Sequence, residues 1–220
     1  MKLSGLLASL TLRTVVALSV ALVAGFVFLE VTEEVIEGDA TDIDRSLSLW
    51  LHALDTPALD VVMRAFTGMG SAPAVASVVA VVAAVSAMRR RTRALGGALV
   101  AVTLAATALD VLFKLLVHRT RPDIFSEIVA PASFSFPSGH AMVSSAAYGM
   151  VAIVVARMKP SLRWPVYLGA GLLVLGIGVS RVYLGVHWAS DVLAGFAAGG
   201  MLVAGGVLAL RPIPAAAERR

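Results

Sequence analysis

Three short clusters in this chain combine cations, small polar residues, histidines and an acid in a pattern suited to phosphate chemistry. The first is Lys114 with, seven positions on, Arg121-Pro122. The second is Pro137-Ser138-Gly139-His140, and the third is Ser180-Arg181 followed by His187 and Asp191. A phosphate carries concentrated negative charge, and Lys114, Arg121 and Arg181 could surround its oxygens. Arginine suits this role because its planar fork donates two parallel hydrogen bonds. Ser138 could add a hydroxyl donor, and Gly139 would let a backbone N–H approach closely at a helix start. Fixed donors of this kind stabilise the transition state of phosphoryl transfer. Imidazole is a nucleophile when neutral and an acid when protonated, both near neutral pH. His187 and Asp191 share a face at helical spacing. The carboxylate could hold one ring nitrogen and leave the other free to attack phosphorus.

The elements that must position these residues are membrane spans. Of the 220 residues, 59% are hydrophobic and only 15% charged, and the mean hydropathy is +0.89. A soluble domain is about half apolar and about one quarter charged. Disorder, a nucleic-acid-binding arm and a soluble enzyme are therefore excluded. With no cysteine, so are disulfides, thiolate metal sites and cysteine nucleophiles. Six stretches are long and apolar enough to cross a bilayer: about 14–29, 71–88, 94–113, 141–156, 164–179 and 191–210. They are apolar all round and rich in glycine, which lets membrane helices approach closely. The first stretch has a basic start but no clear polar cleavage region, so it reads as a retained span rather than a signal peptide.

Charge orients the bundle. Lys2, Arg13, Arg89, Arg90, Arg91, Arg93, Arg157, Lys159, Arg163, Arg211, Arg219 and Arg220 all fall on one side of an even-numbered set of spans. The positive-inside rule makes that side, with both termini, cytoplasmic. Glu30, Glu33, Glu34, Glu37, Asp39, Asp42, Asp44, Asp55 and Asp60 occupy the opposite side, between the first two spans. Leu47, Leu49, Trp50, Leu51 and Leu54 lie there too, a pattern that predicts a short helix on the outer leaflet. The three chemical clusters fall on this extracytoplasmic side, where cations run against the positive-inside trend and a bound anion would explain them.

Taken together, the clusters resemble the three signature motifs of the type 2 phosphatidic acid phosphatase (PAP2) family, which includes the lipid phosphate phosphatases. All three motifs are complete, in order and on one side of a six-span scaffold. The resemblance covers roughly residues 71–210, and the amino-terminal third matches only in general layout. It implies an all-α, six-transmembrane-helix bundle with short interfacial helices outside. It implies His187 as the nucleophile, Asp191 as its orienter and His140 as the general acid that later activates water. Lys114, Arg121, Ser138, Gly139 and Arg181 would bind the phosphoryl oxygens, with Pro122, Pro137 and Ser180 supporting the motifs. No metal or other cofactor is implied, and cations around the histidines would repel one.

Other ionisable groups read more simply. Asp110 reads as a structural partner for Lys114 and His118 as structural, while Arg119 reads as a solvated loop charge, with capture of a second phosphate as the alternative. Phe125, Phe134 and Phe136 line a lipid entrance or pack. The expected function is a single-domain, inner-membrane phosphatase acting on undecaprenyl pyrophosphate, phosphatidylglycerol phosphate or phosphatidic acid. The outward-facing site leans towards the polyprenyl pyrophosphate. A soluble sugar phosphate as substrate, and a non-catalytic phospholipid-binding or transport protein, stand as alternatives. No nucleic-acid partner is expected, and the sequence carries no sign of oligomeric state.

Overall fold

The computed structural model describes residues 3–38, 40–90, 92–123 and 133–210, with side chains from residue 12 onward. Lys2, Arg91, Arg211, Arg219, Arg220 and Phe125, all used in the sequence reading, lie outside the described residues, as does Asp39. Within them the chain forms α1 (Leu3–Glu37), α2 (Thr41–His52), α3 (Pro57–Met69), α4 (Ala72–Ala87), α5 (Arg93–Val117), α6 (Gly139–Met158), α7 (Arg163–Tyr183) and α8 (Ala189–Ala209). One 3-10 turn, Pro160–Leu162, precedes α7, and the described residues contain no strand.

Spans within α1, α5, α6, α7 and α8 are each long and apolar enough to cross a membrane. The second crossing differs from its sequence prediction. α4 alone has 16 residues, about 24 Å at 1.5 Å per residue, which is short for a bilayer core. It meets the requirement together with α3, at a bend of 51°. Thr56 caps α3 by accepting from the Leu59 N–H at 3.2 Å, and Pro57 starts it. A second start follows at Ser71 with Pro73 close behind, so the helix is broken between α3 and α4. Counting that pair as one span gives six, and the all-α bundle stands.

Several spans also run further than hydropathy indicated. α5 continues through Lys114, α7 through Ser180 and Arg181, and α8 begins before Asp191. These residues therefore sit on the end turns of spans rather than in connecting loops. Ionisable groups truncate an apolar window, but they do not end a helix whose backbone bonds continue.

α6 is the centre of the bundle. Ala141, Met142, Ala146, Ala147, Met150 and Val154 on it are fully buried, and α4, α5, α7 and α8 pack around it. The approach of α8 depends on missing side chains. A Cβ on Gly195 would lie 2.8 Å from the Ser138 carbonyl oxygen, and one on Gly199 would collide with the Ser145 hydroxyl. Close backbone contact at such positions replaces the hydrophobic effect that membrane helices lack. α1 lies against α8 and carries Phe28 into contact with Phe113, ring centroids 4.9 Å apart. Leu22, Phe26, Leu29, Leu104, Leu168 and Leu172 face outward, as lipid-contacting side chains do.

The two ends of the bundle differ chemically. Arg89, Arg90 and Arg93 flank the α4–α5 junction, and Arg157, Lys159 and Arg163 flank the α6–α7 junction. Arg13 donates to the Val207 and Leu210 carbonyls at the end of α8, which places it at the same end. Lys114, His140, Arg181 and Asp191 occupy the opposite ends of α5, α6, α7 and α8. There the acidic connection forms α2, as predicted. Ile43, Leu47, Trp50 and Leu54 are exposed, while Asp44 and Ser48 are buried.

Candidate active site

The third cluster is built by a turn and a helix start. α7 ends at Tyr183, and Gly185 takes φ 62°, a left-handed conformation that glycine adopts without penalty. The chain then folds back so that the Val186 and His187 N–H groups both donate to the Arg181 carbonyl, at 3.2 and 3.3 Å. Asp191 sits in the first turn of α8, where its Oδ2 accepts from the Trp188 backbone N–H at 2.9 Å. The helix amino terminus favours that negative charge.

Asp191 is fully buried and its carboxylate is crowded with donors. Oδ1 accepts from Arg119 Nη1 at 2.6 Å, and Oδ2 also accepts from the Ser135 hydroxyl. His187 Nδ1 lies 3.4 Å from the same Oδ2. On its other side, His187 Nε2 lies 3.0 Å from Arg121 Nη1. A guanidinium can only donate, so Nε2 is the acceptor and carries the lone pair, while Nδ1 carries the hydrogen towards Asp191. Burial pushes the His187 pKa down to about 4, with Asp191 opposing and Arg121 and Arg181 adding to the fall. The imidazole is therefore neutral at physiological pH, with its Nε2 lone pair engaged by Arg121.

Arg121 is aimed by backbone carbonyls. It donates to Ser133 O at 2.8 Å, Val186 O at 2.5 Å and Phe134 O at 3.3 Å. Burial lowers its pKa, with Asp191 and Asp110 opposing. Pro122 follows it and is buried. α5 ends at Val117; His118 follows with φ 52°, which reverses the chain, and its ring meets Phe134 edge-on at 4.5 Å.

The second cluster enters through a cis Phe136-Pro137 bond into the start of α6. Phe136 and Pro137 are fully buried, so Phe136 packs rather than lining an entrance. The Pro137 carbonyl accepts from Lys114 Nζ at 3.1 Å, and Lys114 also pairs with Asp110. Ser138 N–H donates to the Asp191 carbonyl at 3.0 Å, tying α6 to α8. Gly139 abuts Asp110: a Cβ there would lie 2.8 Å from its carboxylate oxygen. The glycine therefore makes room for the Lys114 partner, a reason the sequence reading did not contain.

Two polar atoms here stand out. Ser138 Oγ and Arg181 Nε are buried and have no hydrogen-bond partner. The Arg181 Nη1 donates to Thr67 Oγ1 at 2.5 Å. Buried polar groups are nearly always paired, so this hydroxyl and this guanidinium N–H are donors that the fold itself does not use. His140, half-buried at the start of α6, lies within the fields of Arg181, His187, Lys114 and Arg121. Ser180 is fully buried and donates to the Ile177 carbonyl at 2.6 Å, a helix-internal role.

The residues of the three clusters thus gather at one end of the bundle. One reading is corrected. Arg119 is not a solvated loop charge: its side chain is only 12% exposed and bridges Asp44 and Asp191. Asp44, Ser135 and Thr67 also belong to the site and were missed. Asp44 and Asp191 are far apart in sequence, and no spacing links them.

Comparison with known proteins identifies the family of the chain. The PAP2 superfamily family model matches residues 94–212, which contain all three clusters. Phosphatidylglycerophosphatase B of Bacillus subtilis is 33% identical over 163 residues, covering 72% of this chain and 79% of that protein. An undecaprenyl-diphosphatase of Sulfolobus acidocaldarius is 36% identical over 115 residues, covering 50% of this chain and 52% of that one. The crystal structure of a transmembrane PAP2-type phosphatidylglycerolphosphate phosphatase from Bacillus subtilis superposes with a TM-score of 0.78 at 29% identity, covering 86% of this chain and 94% of that chain. Motifs, bundle and relatives converge: the chain belongs to the PAP2 superfamily and is an integral-membrane phosphatase of that family.

Proposed function

We propose that this protein removes a phosphate from a membrane lipid at the outer leaflet, through a phosphohistidine at His187 and without a metal. The observation that carries the reading is the neutral His187, held between Asp191 and Arg121, beside a buried hydroxyl and guanidinium with no partner. An incoming phosphate takes the Arg121 donor, which frees the Nε2 lone pair. Lys114, Arg121, Arg181, Ser138 and the start of α6 at Gly139 hold the phosphoryl oxygens. Nε2 attacks phosphorus, the P–O bond to the lipid breaks, and His140 gives its proton to the departing oxygen. His140 then takes a proton from water, the water oxygen attacks phosphorus, the N–P bond breaks and inorganic phosphate leaves. Asp191 stabilises the imidazolium that develops in the first step. Pro122, Pro137 and Ser180 shape the turns and helix ends that carry these groups.

Both termini face the cytoplasm in this reading and the site faces outward, because the loop cations gather at the other end of the bundle. The whole chain, 1–220, acts as one domain. Among candidate lipids, phosphatidylglycerol phosphate has the broader support, since the relative named for it is matched over 79% of its length and the diphosphatase over 52%. Phosphate release by purified protein in detergent tests the reading, using phosphatidylglycerol phosphate, phosphatidic acid, undecaprenyl pyrophosphate and glucose 6-phosphate. Turnover of lipid substrates should persist in EDTA and fall with vanadate. Turnover of the sugar phosphate alone would move the substrate class, and no release from any of the four would leave a binding protein.

A further inference from the structure

We propose that Asp44 and Arg119 are positioning residues of this phosphatase, holding Asp191 and through it His187 in the geometry for attack. This rests on the reading of His187 and Asp191 as nucleophile and orienter. The Arg119 fork is divided between two buried acids, Nη1 to Asp191 at 2.6 Å and Nη2 to Asp44 at 2.7 Å. Nη1 also donates to Ser190 Oγ at 2.7 Å. Asp44 closes the circuit: it accepts from the Ser190 N–H at 2.8 Å and from the Ser190 hydroxyl at 2.5 Å. Trp188 covers the guanidinium, its ring centroid 5.7 Å away. The circuit joins α2, the segment after α5 and the first turn of α8.

Its placement separates Arg119 from the phosphate-facing cations. Arg121 approaches His187 from the Nε2 side, while Arg119 meets Asp191 behind Nδ1. Two acids around Arg119 would repel an incoming anion, and both its Nη atoms already have acceptors. A buried ion pair is a weak source of stability, but two acceptors fixed by one planar fork define an orientation. Arg119 on Oδ1 and the Trp188 N–H and Ser135 hydroxyl on Oδ2 together fix the carboxylate against His187. Removing Arg119 leaves Oδ1 unheld, so the carboxylate can pivot about its Oδ2 bonds and loosen the 3.4 Å contact. The acidic connection between the first two spans thereby gains a catalytic purpose through a single residue, Asp44.

The test compares Arg119→Gln, Arg119→Lys, Asp44→Asn and the double variant Asp44→Asn/Arg119→Gln, as full-length proteins in detergent with phosphatidic acid. Losing the outer partner of a metal-ligating side chain lowers affinity or activity about 10- to 100-fold, and a loss of similar size is expected for the partner of Asp191. Arg119→Gln should lose kcat in that range, with KM and the inhibition constant of inorganic phosphate within about twofold. Arg119→Lys should recover part of the rate, because it keeps the charge but not the fork. The double variant should be no slower than Arg119→Gln, since the two residues act in one chain. A rise in KM and in the phosphate constant with kcat intact would overturn the proposal in favour of a substrate ligand. A lower phosphoenzyme burst with an unchanged rate per active site would reduce the circuit to a structural one. Normal kcat in Arg119→Gln beside an inert His187→Ala overturns the circuit alone, whereas turnover by His187→Ala overturns the dyad beneath it.

Discussion

His187 shows how neighbours select one state of a side chain. The hydrogen on Nδ1 and the lone pair on Nε2 follow from a carboxylate on one side and a guanidinium on the other. Its lowered pKa follows chiefly from burial. Since the folded-state value lies below the ordinary 6.5, the neutral form is favoured in the fold, and stability is lost as pH falls from about 6.5 towards about 4. Nitrogen-15 NMR of histidine-labelled protein should show the signal absent from His187→Asn staying neutral down to about pH 4. A midpoint near 6.5 would refute the burial account. Ser138 offers a second residue-scale case. Its hydroxyl is buried and bonds to no other group of the protein, so it adds little to the fold and, in the proposed reaction, donates to the phosphate. Ser138→Ala should lower kcat about 10- to 100-fold, somewhat less than a lost oxyanion donor, and leave thermal stability equal or higher. Loss of stability with full activity would assign Ser138 to the fold instead. The chemistry of the three clusters was legible in the sequence because each is short and local. Asp44 and Arg119 were not, because a buried circuit between distant segments leaves no spacing to read.

The elements were legible in type and less so in extent. Apolar stretches gave six crossings, but Lys114, Arg181 and Asp191 cut the hydropathy windows short while the helices ran on beneath them. Placing these residues on end turns gives each a rigid base, which loops would not supply. The α3–α4 break was also hidden, since a bend at Gly70 and Ser71 does not interrupt apolarity. The α6–α8 contact decides whether the second and third clusters meet, and Gly195 sits where α8 touches Ser138. Gly195→Ala should therefore reduce both thermal stability and kcat, because its methyl group presses on the Ser138 carbonyl. Gly205→Ala is the control: a Cβ there meets nothing within 4 Å, and removing a helix glycine stabilises by about 0.5–1 kcal/mol. Equal behaviour of the two variants, read by thermal shift and phosphate release, would contradict the packing account.

At the scale of the whole molecule, the net charge of +4 is the sum of unlike parts. Among the described residues, the loop cations gather at one end of the bundle, while the acids, Lys114, Arg121 and Arg181 gather at the other. If the positive-inside rule sets this orientation, a cysteine at exposed Asp123 should react with an impermeant reagent on whole cells, and one at exposed Arg90 should not. Labelling of Arg90→Cys alone would invert the topology. The proposed chemistry turns on one event, the transfer of a phosphoryl group to His187. Rapid alkaline quenching of the enzyme during turnover, followed by peptide mass spectrometry, measures that event directly. Phosphate attached to His187 in the wild type, accumulating when His140→Ala blocks its hydrolysis, is the expected result. Phosphate on another residue, or steady turnover by His187→Ala with no phosphoenzyme, would contradict it.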